Sequence, residues 1–253
     1  MSTDRLAAHV VESISDYISF LEESFQEVDD VLFRGQQEDW PLVPKLSRII
    51  LRGDCDLLST EQAMLNDFKR QALSFFDFVP DNDWDWLSLA QHYGMATRLL
   101  DWTTNPLAAL WFAIEQPARE KCPKNKPKEP AVVWTFDASP NDYVSDTSKG
   151  DPFSGVRTKV FRPRHIASRI RAQSGWFTVH KFMPNNRRAF IPLNSQSRYK
   201  KALMKIVIPP DKFSPIRYEL DRCGLNGASM LTDLAGLCRH IEWQHSLLED
   251  EVD

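Results

Sequence analysis

Eight consecutive residues, Leu107 to Ile114, carry no polar side chain. A helix of that composition is apolar on every side and is stable only if buried nearly all round. Its limits are marked in the chain. Asn105 is a favoured N-cap, Pro106 suits the first helical position, and Pro117 stops the helix. Just before it, Thr97 to Trp102 reads as a short buried strand leading through Thr103-Thr104. The chain must therefore build a core that encloses a central helix, and 253 residues suffice for one large domain or two small ones.

Other segments supply what could surround it. Arg5 to Phe25 has apolar positions at helical spacing, with Ser2 or Thr3 as a cap. Val31 to Gly35 is an apolar run closed by glycine, expected as a strand entering a functional loop. Thr60 to Phe76, with Thr60 as cap, and Trp84 to Tyr93, ended by Gly94, read as helices. Pro117 to Pro130 holds four prolines and is expected as an exposed excursion. Ala131 to Phe136 reads as a core strand. After a polar loop, a helix over His165 to Ala172 precedes strands at Trp176–His180, Phe190–Pro192 and Ala202–Ile208. Helices start at Ser214 and Thr232, and the acidic end is expected to fray. Helices bracketing short strands without regular alternation point to a single α+β domain. The expected division is an N-terminal helix over 1–28, a main domain over 29–241, and a helix end with acidic tail over 242–253.

No run approaches the roughly 20 apolar residues of a membrane span, so no membrane partner is expected. Met1 to His9 has no export signal, which leaves a cytoplasmic location as the expectation. Cys55, Cys122, Cys223 and Cys238 lack CxxC spacing and read as reduced thiols rather than a zinc site or disulfide framework.

The net charge of −4 is a cancellation. The 59 residues between Asp151 and Asp211 hold thirteen Lys/Arg and no acid, while the remainder holds 18 basic and 35 acidic residues. Such asymmetry suits a polyanion surface. Alternatively these cations pair with acids elsewhere or with an acidic, antitoxin-like protein.

Three clusters place polar groups among apolar ones. In Phe33-Arg34-Gly35-Gln36, an Arg at a buried strand end needs an anion or an internal carboxylate, and its fork fits pyrophosphate. Gln91-His92-Tyr93-Gly94, with Thr97-Arg98 and Asp101-Trp102-Thr103, gathers an imidazole, a phenol, hydroxyls, a guanidinium and a carboxylate. Arg98 and Asp101 could equally pair with each other, and His92 could be a core histidine. In Arg169 to Phe177, a basic helix runs into a turn and strand. Gln173 could hold a ligand hydroxyl or cap the turn. Asp81, Asp83 and Asp85, near Asp77, could hold Mg²⁺ but more readily complement a helix start. No nucleotide-loop, zinc-protease or nucleophile-elbow motif is present, and no metal is expected.

The first two clusters resemble the FRG domain, a bacterial family named for its Phe-Arg-Gly motif. The matching residues are Phe33 to Gln36, Leu89 to Gly94, Thr97 to Thr103, Asn105-Pro106 and Ala108 to Ala113. Gly224 to His240, with Asp233-Leu234 and Gly236, looks like a closing motif, so the likeness runs from about Asp29 to Ile241. The layout resembles the ADP-ribosyltransferase group, implying a split mixed β-sheet with flanking helices and NAD as substrate. Carried over by motif, Arg34 with Gly35 and Gln36 would hold the pyrophosphate. Thr97 or Thr103 would take the nicotinamide side, Arg98 and Trp102 would also bind NAD, and His92 and Tyr93 would flank the pocket. That group places a Glu on a later strand, where this chain has no acid. Gln173 is nearest by order, leaving Asp101 to supply the carboxylate.

The resemblance thus implies an ADP-ribosyltransferase, a toxin or anti-phage effector that modifies a nucleic acid, RNA before DNA, and releases nicotinamide. The expected acceptor surface is Arg162, Arg164, Arg169, Arg171, Lys181, Arg187 and Arg188, with Trp176 and Phe177 available to stack a base. An antitoxin protein is a second expected partner. The alternative is a nucleic-acid-binding or nuclease-like module without NAD chemistry.

Overall fold

The computed structural model describes residues 8–26, 30–53, 55–76, 78–119, 128–147, 150–164, 174–183 and 189–252. Strands β1 (Ala8–Val10), β2 (Val31–Gln36), β3 (Leu99–Thr103), β4 (Ala131–Asp137), β5 (Lys159–Phe161), β6 (Gly175–Val179) and β7 (Leu203–Ile208) form one mixed sheet. Their order is β1-β7-β4-β2-β3-β6-β5, with β1 parallel to β7 and every other pair antiparallel. Helices α1 (Ile14–Ser24), α2 (Leu57–Ala72), α3 (Asp83–His92), α4 (Pro106–Ile114), α5 (Phe213–Arg222), α6 (Gly227–Leu231) and α7 (Leu234–His245) flank it, giving the expected α+β class. None of the described helices is long and apolar enough to cross a membrane.

The apolar helix is where its composition requires. α4 starts on Asn105, whose side chain accepts from the N–H groups of Leu107 and Ala108, and six of its nine residues are buried. It packs with Val31, Phe33, Ala131, Val133, Ile206 and Ile208 on one sheet face and with α1 and α5 beyond. Alternation along the strands sends Leu32, Trp134, Phe136 and Leu203 to the opposite face, into a second core with Leu100, Trp102 and Val160. A third core joins α2 and α3 to Leu99, Phe161, Phe177 and Val179.

The sheet is nearly two sheets. β2 pairs with β4 over six residues and β3 with β6 over five, but β2 and β3 share only Phe33↔Thr103. Gly35 explains how closely α4 can approach at that seam. A Cβ there would lie 1.9 Å from the Ala109 carbonyl oxygen and 2.7 Å from the Ala113 nitrogen, both backbone. Gly35→Ala is expected to push α4 off β2 and destabilise the fold by about 1–3 kcal/mol, the usual range for overpacking. Urea unfolding checks this, and an unshifted midpoint would mean that α4 moves at no cost.

Several expectations need correction. Residues 8–10 are an edge strand and the first helix starts at Ile14, capped by Ser13. Val10 and Val11 are β-branched, and Val11 donates to the Val207 carbonyl, so the free edge of β7 outcompetes helix. α2 is capped by Asp56, whereas Thr60 lies inside it. Phe190–Pro192 forms no strand; Phe190 is instead fully buried beside Leu46 and Ala96. α6, with an Asn226–Ser229 capping box, was not expected, and α7 follows from Asp233. The acidic end is docked: Arg217, nearly buried, donates to Asp250 at 2.9 and 3.2 Å and to Glu251. Residues 120–127 of the proline-rich excursion and the whole of the helix expected over His165 to Ala172 lie outside the described residues.

Candidate functional site

The cleft opens where β2 and β3 part. Beyond the Phe33–Thr103 pair the strands no longer exchange ladder bonds, and the Arg34 side chain enters the gap. Its Nη1 donates to the Asp101 carbonyl at 2.8 Å and lies 3.7 Å from the Asp101 carboxylate. The guanidinium is one-fifth exposed, while its Nε is buried with no hydrogen-bond partner. Burial holds the Arg34 pKa below its ordinary value, opposed by Asp101 and reinforced by Arg48. A buried donor without a partner is costly, so this arrangement favours an incoming anion.

A cavity of about 500 Å³ occupies the gap. That is within the range of small-molecule and cofactor sites. Its walls include Arg34, Gly35, Gln36, Trp40, His92, Asp101, Trp102, Thr103, Phe112, Glu115 and Trp176. Gln36 is 5% exposed and its Oε1 also lacks a partner. Cation and amide, both incompletely satisfied, thus lie on the strand that ends at the cleft. Asp101 is held by the Gln91 amide, whose nitrogen is 3.1 and 3.3 Å from the two carboxylate oxygens. The Gln91 oxygen accepts from the Thr97 hydroxyl at 2.7 Å.

The floor is rigid. Trp102 Nε1 donates to the Thr178 hydroxyl at 3.0 Å, and that hydroxyl sits 3.1 Å from His180 Nε2. Burial, with Arg34 and Arg98 nearby, pushes the His180 pKa down to about 3, so the ring is neutral in this network.

Sequence motif and cleft coincide in part. Residues 29–122 match the family model of the FRG domain. This chain carries an FRG domain. No curated protein and no solved structure matches the chain. The matched span runs from the segment before β2 to just beyond α4, and the FRG motif itself is Arg34 in the gap with Gly35 beneath α4. Gly35 therefore serves the approach of a helix backbone at least as much as that of a ligand. The stretch Gly224 to His240 lies beyond the match.

The fold does not bring every expected residue to the cleft. Thr97 is fully buried, and its hydroxyl accepts from the Leu99 N–H. Arg98 is 1% exposed and faces Glu61, donating through Nε at 2.9 Å and Nη2 at 2.6 Å. Its Nη1 reaches the Pro152 and Phe153 carbonyls, and Glu61 also takes the Arg98 backbone N–H. Neither residue lines the cleft, and Arg98 is paired with Glu61, not Asp101. Tyr93 also turns away: it packs on Phe76 at 5.8 Å and lines a separate aromatic depression. Gln173 lies outside the described residues.

The acid-free stretch is less free than its sequence implies. Arg164 pairs with Asp81 at 2.8 Å and Asp85 at 2.6 Å, Arg198 and Arg157 with Asp142, and Lys205 with Asp39. Arg162 lies over the Trp176 ring at 5.2 Å, and Lys181 lines a shallow pocket with Arg157. For the first four, pairing with acids elsewhere is the correct alternative. Arg169, Arg171, Arg187 and Arg188 lie outside the described residues. Asp81 and Asp85 hold Arg164, and Asp83 holds Lys69. Among the described residues, no three His, Cys, Asp or Glu side chains converge as a metal cage requires.

Sequence reasoning missed Trp40 and Glu115. A signal existed for Glu115. It follows directly on the last turn of α4, where the helix dipole disfavours negative charge. An acid there invites a functional explanation.

Proposed function

We propose that this protein is an NAD-consuming ADP-ribosyltransferase whose catalytic cleft lies at the β2–β3 gap. The observation that carries the reading is Arg34, a largely buried guanidinium with an unpartnered Nε on the wall of a dinucleotide-sized cavity. Gln36 Oε1 adds an unpartnered acceptor on the same wall. These residues fit NAD: Arg34 binds the pyrophosphate, Gln36 meets a hydroxyl or amide, and Trp40, Phe112 and Trp176 offer faces for the rings.

The reaction breaks the bond between nicotinamide nitrogen and the ribose anomeric carbon. The bonding pair leaves with neutral nicotinamide, and positive charge develops on the ribose. A carboxylate beside that carbon stabilises the charge. Asp101 serves this role, held in place by Gln91, and Glu115 is a second carboxylate of the cleft. The acceptor's nucleophilic atom then bonds to the anomeric carbon, and its proton passes to a carboxylate or to solvent. The acceptor is a nucleic acid, RNA in the first instance, in keeping with a toxin or defence effector.

The test is incubation with NAD labelled on the adenylate side, together with separated RNA, DNA and protein fractions. Nicotinamide release with label moving into RNA is expected. A folded protein that releases no nicotinamide and labels no fraction would sink the enzyme reading and leave a binding module in its place.

A further inference from the structure

An aromatic surface adjoins the cleft mouth, outside the residues that line it. Phe75 is 80% exposed and Tyr93 62%, and Phe78 and Val79 are also exposed. Phe75, Phe76 and Tyr93 share a depression of about 330 Å³. Phe76 lies 5.8 Å from both Tyr93 and Phe78, so the rings form a continuous run. Exposed large apolar groups gathered in one patch mark an interaction site.

Cations border this run. Lys45 Nζ donates to the Gly94 carbonyl at 2.8 Å, placing its charge beside Tyr93. Arg48, one helical turn on, is exposed and near enough to Arg34 to oppose its charge. Neither Lys45 nor Arg48 has an ion-pair partner among the described residues, unlike the four paired cations of the acid-free stretch. The acids that follow Val79, Asp81 and Asp83, are neutralised by Arg164 and Lys69. Arg48 thus lies within electrostatic reach of Arg34 and Lys45 is bonded to Gly94 on the cleft wall, with the Tyr93–Phe76–Phe78 run next to it.

We propose that Lys45, Arg48, Tyr93 and Phe75 form the binding track for a single-stranded nucleic acid, leading a base into the β2–β3 cleft. Unpaired cations that follow a phosphate backbone, alternating with ring faces that stack bases, are what sequence-tolerant single-strand binding requires. A protein partner fits less well, since charged side chains are depleted at the centre of protein interfaces. The track rests on the transferase reading for its purpose, but binding to it does not depend on NAD.

The experiment is fluorescence anisotropy with a labelled single-stranded RNA 12-mer, without NAD, at two salt concentrations. Arg48→Glu and the double variant Phe75→Ala/Tyr93→Ala are each expected to weaken binding about tenfold or more. Lys200→Glu/Lys201→Glu, in the acid-free stretch, should bind as the parent does. Circular dichroism confirms that each variant folds. Phe75→Ala alone should leave nicotinamide release to water unchanged while lowering RNA labelling. Unweakened binding by both track variants, a loss confined to the Lys200/Lys201 variant, no oligonucleotide binding by the parent, or labelling of protein alone would each overturn the track. A parent that binds RNA through the track yet releases no nicotinamide would uphold it and refute only the transferase reading.

Discussion

Arg34→Ala is expected to lower nicotinamide release by about 100- to 1000-fold while the protein stays folded. The guanidinium's partners are the carbonyl and the partly exposed carboxylate of Asp101. Losing them costs roughly one ordinary hydrogen bond, about 1 kcal/mol. The melting temperature should therefore fall by only a few degrees, because such a domain shifts by about 2–4 °C per kcal/mol. On the proposed function ligand binding loses far more, since a pyrophosphate depends on both the charge and the fork. Arg34→Lys keeps the charge but loses the planar fork, and should recover little of the activity. Calorimetric NAD titration beside thermal melts separates the outcomes. Global unfolding of Arg34→Ala would show that this arginine is a structural pair and remove the main support for the site.

The opposite balance is expected one strand along. Glu61→Gln should destabilise the protein by about 3–5 kcal/mol, because it leaves the buried Arg98 cation without its carboxylate. By the same conversion the melting temperature drops by about 6–20 °C. Glu61 is fully buried and takes three hydrogen bonds from Arg98, two from the guanidinium and one from the backbone. That last bond anchors the chain just before β3, so the pair fixes the strand that carries Asp101. Removing both charges with Glu61→Leu/Arg98→Met should cost less than the sum of the two single changes. The Pro152 and Phe153 carbonyls would still lose their donor, so recovery is partial. Chemical denaturation of the four proteins gives the coupling energy. A value near zero would mean that Arg98 and Glu61 act independently despite their contact.

Arg34 and Arg98 look alike in sequence, each an arginine among apolar residues, and only their partners separate them. Glu61 lies 37 residues before Arg98, inside a helix that reads as ordinary surface. The same distance effect hid Arg217, whose carboxylates come 33 and 34 residues later. Local signals were readable: Asn105-Pro106 caps α4, Gly94 ends α3 with φ of +86°, and Val31 to Gln36 is a strand. β1 was not, since the apolar residues from Val10 to Ile14 satisfy helical spacing as well as a strand edge. Four cations of the acid-free stretch, Arg157, Arg164, Arg198 and Lys205, find their acids far away in the chain. Those acids come from outside 152–210, while Lys45 and Arg48, in a stretch of mixed composition, have no ion-pair partner among the described residues.

Two half-sheets joined by a single residue pair resemble the boards of a book more than one rigid plate. Beneath the spine, Leu32, Trp134 and Phe136 of one board touch Leu100 and Trp102 of the other. Such contact is non-directional and tolerates a small rotation that a hydrogen-bond ladder would resist. On the proposed function, a dinucleotide lying across the opening, with its phosphates on Arg34 and its ribose beside Asp101, would supply the missing rungs. Substrate would then become a structural member of the sheet, and its cleavage into two fragments would cut that tie.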